Sequence, residues 1–316
     1  MVKAEDLIAA IREEVGDGQA LVALSGGVDS FVAATLAGKA LGGRLHPVLV
    51  DHGFLREGER EEVEAAAKAV GMDLLTVDAS ARFLEALKGV TDPEEKRRRI
   101  GHLFIQVFEE TARELEAIHG PIGYLVQGTI LPDVAESRPQ GGGGPVKSHH
   151  NVGGLPEAMA FRLVEPLRQL DKPEVRELGK TLGVPETILT RQPFPGPGLA
   201  VRVVGEVTAE RLAMVRRADA IVRREMEKAG WHQTLWQYFA LLTGSPSVGY
   251  RDGRRVYGEV VAVRAVVAER AERAAPAPLP PEFLAVLAER ILAEVPGLSR
   301  VVYDISPKPP ATIEWE

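Results

Sequence analysis

Ala20-Leu21-Val22-Ala23-Leu24 runs directly into Ser25-Gly26-Gly27-Val28-Asp29-Ser30, and Val32 to Leu41 continues with helical spacing. The order is strand, glycine turn, helix start. Gly26 and Gly27 let the backbone bend sharply and approach a ligand closely, while free amides and the positive helix end favour a phosphate. Ser25 and Ser30 add hydroxyl donors. Asp29 repels phosphate on its own and becomes useful where Mg2+ lies between the two. The turn therefore reads as a site for a magnesium nucleotide.

Outward from this turn, short aliphatic runs alternate with helical segments. Leu45 to Val50, Leu74 to Val77 and Tyr124 to Val126 read as strands, and Glu59 to Val70, Arg82 to Leu87 and Glu94 to Ala117 as helices. Strands separated by helices predict an α/β domain with a parallel, doubly wound sheet. Such sheets bind ligands at the carboxyl ends of their strands. The turns Asp51-His52-Gly53 and Gln127-Gly128-Thr129 sit at such ends and are expected to converge with the Ser25 turn on one crevice.

From Ile130 to Pro156 the sequence is irregular, with Gly141 to Gly144 followed by Lys147-Ser148-His149-His150-Asn151. A loop of that length is usually functional or disordered. Adjacent histidines lack the spacing of a helical zinc pair, so a mobile lid carrying Lys147 and a histidine to phosphates is the better reading. Gln192-Pro193-Phe194-Pro195-Gly196-Pro197-Gly198 suits neither helix nor central strand and marks a boundary. We place a first domain over 1–190, a linker over 191–200 and a second domain over 201–316. In the second, Val201 to Val204, Val256 to Val267 and Arg300 to Tyr303 read as strands, Ala209 to Lys228 and Phe283 to Glu294 as helices, and Ala271 to Pro281 as a loop, a small α+β unit.

The 316 residues suffice for two domains, and a hydrophobic content of 45% without any long apolar run or signal pattern predicts a cytoplasmic protein without a membrane partner. A formal charge of -7 argues against broad nucleic-acid binding. There is no cysteine, which excludes a disulfide, a thiolate metal site and hydrolysis of glutamine by a thiol of this chain.

The Ser25–Ser30 turn is similar to the pyrophosphatase loop of enzymes that split ATP between its α and β phosphates. No Gly-x-x-x-x-Gly-Lys-Ser/Thr string occurs. Val50 to Gly53, Asp92 to Arg97, Gln127 to Thr129, Lys147 to Pro156, Phe194 to Ala200 and Lys308-Pro309-Pro310-Ala311-Thr312-Ile313-Glu314-Trp315-Glu316 follow in order. Together they resemble the ATP-pyrophosphatase part of the GMP synthetase family. The resemblance implies an adenine nucleotide alpha hydrolase-like sheet followed by a smaller α+β dimerisation domain, and adenylation of XMP by ATP with Mg2+, then amination by ammonia to GMP and AMP.

By the same resemblance, Ser25, Gly26, Gly27, Val28, Asp29, Ser30, Asp51, Gly128 and Thr129 would hold ATP, with Asp29 on the metal. Asp29, Lys147, His149 and His150 would serve catalysis, and Arg97, Gln237, Lys308, Thr312, Ile313 and Glu314 would hold XMP. Arg97 has a rival reading within Lys96-Arg97-Arg98-Arg99, a solvated helix face paired with Glu94 and Glu95. Family members commonly carry an N-terminal glutaminase domain, whereas 24 residues precede Ser25. Ammonia is therefore expected from a separate glutaminase subunit, or else the sequence is a piece of a longer chain, and a homodimer through the second domain is expected. Phe31, in place of a small hydroxyl residue, and Tyr250-Arg251-Asp252-Gly253 depart from the family pattern. The same loop also serves NAD synthetase-like and tRNA-thiolation-like enzymes, and a catalytically silent nucleotide-binding subunit is the alternative outside enzymes.

Overall fold

A computed structural model describes residues 3–136, 161–251, 253–270 and 273–316. Lys147, His149, His150 and Asp252 lie outside the described residues. In chain order the elements are α1 (Ala4–Val15), β1 (Gln19–Ala23), α2 (Val28–Leu41), β2 (Leu45–Asp51), α3 (Glu59–Ala69), β3 (Leu75–Asp78), α4 (Ser80–Ala86), α5 (Pro93–His119), β4 (Ile122–Val126), α6 (Leu131–Glu136) and β5 (Arg162–Val164). They continue with α7 (Lys172–Leu182), α8 (Glu186–Leu189), α9 (Ala209–Lys228), β6 (Gln237–Arg251), β7 (Arg254–Arg270), β8 (Arg273–Pro276), α10 (Pro281–Glu294) and β9 (Leu298–Tyr303).

Two compact units divide the chain. The first holds residues 1–52, 58–79 and 102–191, and the second 53–57, 80–101 and 192–316. In the first unit β1 to β5 form a parallel sheet of order β3-β2-β1-β4-β5. The order reverses beside β1, and right-handed crossovers then place α2 and α3 on one face and the return helix α5 on the other. Side-chain burial agrees with a sheet covered twice. Ala20, Val22 and Leu24 enter one core with Phe31, Val32 and Leu36 of α2, while the intervening Leu21 is equally inaccessible outside that cluster. Phe31 is a fully buried member of this core, so the departure from a hydroxyl residue serves packing.

β5, three residues long, was not expected. It completes the sheet by pairing Tyr124 with Arg162 and Val126 with Val164. Asp171 then starts α7 with a capping box, its carboxylate accepting from the Glu174 amide at 2.9 Å and the Glu174 carboxylate accepting from the Asp171 amide at 2.9 Å. Part of the irregular stretch after Ile130 is also regular, since α6 occupies Leu131–Glu136.

The second unit is built on β7. Its length lets it pair antiparallel with β6 on one side and, on the other, parallel with β9 through Glu259–Val263 and antiparallel with β8 through Val266–Arg270. The central stretch Val261, Ala262, Val263, Ala265 and Val266 is buried, as are Leu287 and Ile291 of α10. Those residues fill the core of the second unit. Two readings change. Val201 to Val204 is not a strand: Gly198–Arg202 forms a 3-10 turn, because Pro197 and Gly198 set its start, and Val203 makes one isolated bridge to Leu242. The predicted loop after Ala271 contains β8, held at the sheet edge against β7.

Candidate active site

In the first unit, the turns after β1 and β4 meet beside the point where strand order reverses. Gly26 takes a positive φ of 77° and Gly27 opens α2 without a side-chain cap. Ser30 folds back across the turn, its hydroxyl donating to the Gly27 carbonyl at 3.0 Å and lying 3.0 Å from the Ser25 hydroxyl. Arg191 braces the turn from beneath by donating to the Gly26 carbonyl at 2.7 Å while pairing with Glu59 at 3.2 Å and Glu62 at 2.7 Å. Gly128 packs so closely that a Cβ there would sit 2.6 Å from the Asp29 carbonyl carbon and the Ser30 amide nitrogen. That absence of a side chain is what lets the Gln127-Gly128-Thr129 turn lie against the start of α2.

Asp29 stands at this junction with its two oxygens in different states. Oδ2 accepts from Lys172 Nζ at 2.5 Å, and Oδ1 is buried without a hydrogen-bond partner among the described residues. A buried carboxylate oxygen left unfilled costs free energy, so it suits a site that completes itself with a ligand or a cation. Lys172 escaped the sequence reading as a lone lysine at a helix start. The signal was present in Asp171-Lys172-Pro173-Glu174, a capping box with a proline that opens a helix after a strand and so puts Lys172 at the sheet's carboxyl edge. Asp51 ends β2 at the same edge, 3.5 Å from Arg60. Thr129 is buried at 8% exposure. Among the described residues no group of three or more His, Asp or Glu could hold a metal by itself.

In the second unit a different set converges. Glu314 accepts from Arg202 Nη2 at 3.0 Å and Nε at 3.2 Å, and from Gln237 Nε2 at 2.9 Å. Gln237 also donates to the Pro193 carbonyl at 3.1 Å. Arg202, wholly buried, pairs with the buried Asp219 at 3.4 Å and lies 3.9 Å from the Phe239 ring centroid and 5.0 Å from that of Phe194. Ion pair and ring stacking together fix its guanidinium plane. It was missed because Leu199 to Val204 reads as an apolar run in which one arginine carries no signal. Ile313 is buried against Phe239 and Leu241, and the Thr312 hydroxyl donates to the Glu314 carbonyl. Lys308 is held by its backbone, which exchanges bonds with Ala274 at 2.8 and 3.0 Å. Its ammonium has no partner among the described residues.

Lys96 to Arg99 separate into two kinds of residue. Arg98 and Arg99 pair with Glu95, holding its carboxyl down to about 2, and Arg97 pairs with Glu94, as a solvated face would. Lys96 is wholly buried and pairs with Glu316. Burial pushes the Lys96 ammonium down and the Glu316 carboxyl up, each drawn back towards its charged form by the other. A run of four basic residues concealed one core cation.

Residues 224–315 match the family described as GMP synthase C terminal domain. GMP synthase [glutamine-hydrolyzing] of Thermomicrobium roseum is 55% identical across 99% of this chain and 59% of its own length. A protein of Thermococcus kodakarensis, named as one subunit of a GMP synthase [glutamine-hydrolyzing], is 55% identical across 99% of this chain and 98% of its own length. Among solved structures, NMN synthetase from Francisella tularensis superposes with a TM-score of 0.45 at 16% identity, covering 63% of this chain and 78% of that chain. The chain spans about 60% of the length of curated relatives such as that of Aeropyrum pernix. With 55% identity over essentially the whole of the Thermococcus subunit, this chain belongs to the GMP synthase family.

Proposed function

We propose that this chain performs the synthetase half of GMP formation. A carbonyl oxygen of the XMP base attacks the α phosphorus of ATP, the bond to the β phosphate breaks and pyrophosphate leaves. Ammonia then adds at the activated carbon and AMP departs with its oxygen. The logic is that an amide-like carbonyl resists ammonia until its oxygen becomes part of a good leaving group.

The observation that carries this reading is Asp29, placed between two glycine turns with one oxygen unfilled and the other on Lys172. Those residues suit a magnesium nucleotide, since Mg2+ is commonly held by one or two carboxylates together with phosphate oxygens and waters. Asp29 would hold the ion, which supplies positive charge beside the phosphates. Ser25, Ser30 and the first amides of α2 would orient the phosphates, and Lys172 would move from Asp29 to a phosphate oxygen. Val28, Asp51, Gly128 and Thr129 complete the expected ATP set. Arg97, Gln237, Lys308, Thr312, Ile313 and Glu314 remain the expected XMP set, and we add Arg202, because it holds the Glu314 carboxylate with two donors. Lys147, His149 and His150 keep the lid roles their sequence suggests.

Ammonia is proposed to come from a separate glutaminase subunit, since this chain has no cysteine and the Thermococcus relative is itself named as one subunit of a glutamine-hydrolyzing synthase. A homodimer through the second unit is proposed on the exposed apolar side chains of the β6–β7 hairpin. Val248, Tyr250 and Tyr257 on the β6–β7 hairpin are exposed at 45%, 75% and 78%, and sedimentation of a hairpin variant tests it. No described helix is long and apolar enough to cross a membrane, and nucleotide substrates favour a cytoplasmic location. Pyrophosphate release tests the reading: it should require XMP and ATP together. Release with nicotinate adenine dinucleotide in place of XMP would favour an NAD synthetase-like activity, and none with any acceptor a silent subunit.

A further inference from the structure

The C-terminal tail is held by three buried cations. Arg264 donates to the Ser306 and Thr312 carbonyls at 2.6 and 3.2 Å and pairs with Asp304 at 3.2 Å. Arg202 holds Glu314. Lys96 holds Glu316, and among the described residues this is the ion pair that joins the tail to α5. An ammonium has three donors, and Lys96 places all of them: on Glu316, on the Val203 carbonyl at 2.6 Å and on the Ala200 carbonyl at 3.4 Å. The second Glu316 oxygen accepts from the Gly205 amide at 3.0 Å. Side-chain exposures of 0% and 4% leave no room for water to take over either role.

Such a pair is a poor way to gain stability, because two charges lose their hydration and an apolar pair of similar volume would do as well or better. It does differ from an apolar pair in direction. Carbonyls, amide and carboxylate fix where Lys96 and Glu316 lie, whereas methyl groups can slide. Lys96 immediately precedes Arg97, and Glu316 follows Glu314 by two residues. We propose that Lys96 and Glu316 are positioning residues, a buried strap that sets the spacing between Arg97 on α5 and the Lys308–Glu314 segment, so that an acceptor nucleotide meets these groups already arranged. This rests on the reading of both segments as the XMP set.

The test is the double variant Lys96→Met/Glu316→Leu, which removes both buried charges and keeps apolar volume. Trp315, 43% exposed and donating to Asp304 at 2.8 Å, reports on the tail by fluorescence anisotropy once Trp231→Phe and Trp236→Phe remove the other tryptophans. Expected for the double variant are a cooperative melt, lower Trp315 anisotropy, and an XMP KM raised about 10-fold or more, with kcat and ATP KM within about twofold of wild type. An XMP KM unchanged, or kcat and both KM values impaired alike, would overturn the proposal. Wild type that fails to bind XMP refutes the functional reading instead, and anisotropy unchanged in the double variant then refutes the strap as well.

Discussion

Replacing Asp29 by Asn separates a carboxylate needed for chemistry from one that merely supports a helix. The side chain makes no cap, since Gly27 occupies that position without a side-chain bond. What folding loses is an ion pair with Lys172 whose side chains are 25% and 38% exposed, worth about 0.2 to 1 kcal/mol. A negative charge in the first turn of α2 adds about 0.3 to 1 kcal/mol. Against this, Oδ1 is buried and unpartnered among the described residues, a penalty a neutral amide relieves in part. The net should stay near 1 kcal/mol, a shift in melting temperature of about 2 to 4 °C. Turnover should fall on the order of 100-fold or more, as when a group aimed at developing charge is removed. Differential scanning fluorimetry and pyrophosphate release on the same preparation decide. A variant that melts several degrees lower yet keeps turnover within a few-fold would refute the role of Asp29.

Three further outcomes follow from named contacts. Gly128→Ala should cost about 1 to 3 kcal/mol by denaturant titration and abolish ATP binding, because its Cβ would meet backbone of Asp29 and Ser30; a stable, ATP-binding variant contradicts the packed turn. Lys308→Ala should weaken XMP binding by roughly 2 to 5 kcal/mol in calorimetry and leave ATP binding unchanged, while equal affinity for XMP removes Lys308 from the substrate site. His46 lies 2.7 Å from Gln19 Oε1 and 4.5 Å from the His119 ring, and burial first, then the His119 charge, lowers its pKa from 6.5. The unfolded chain then binds the proton more readily, so the contribution of His46 is full above 6.5 and is lost as pH falls through the lowered value. His46→Gln should flatten the acid side of the stability profile of the first unit, and an unchanged slope contradicts the burial argument.

The first sheet was legible where apolar runs met glycine turns. β1, β2, β3 and β4 fall where the alternation put them, within a residue or two at their ends. β5 was not, because three residues with Arg162 and Leu163 exposed carry no period. β6 was hidden by Gly244 and Pro246, which sit where its register shifts between Leu242 and Pro246, and sheet pairing with β7 overrides their local preference. The glycine turns and Asp29 could be read because their chemistry is local. Arg202 and Lys96 could not, since each acquires its meaning from a partner 100 or more residues away in sequence, whereas Lys172 carried only the local signal of its capping box. Long-range ion pairs leave no pattern in a single chain.

We propose that this chain activates XMP and accepts ammonia. This is tested most directly by incubating the purified chain with XMP, ATP, Mg2+ and 15N-ammonium and identifying the nucleotide product by mass spectrometry. Expected is 15N-labelled GMP in step with AMP and pyrophosphate, and none when glutamine replaces ammonium. Absence of labelled GMP while ATP is bound, or equal GMP from glutamine with this chain alone, would contradict it.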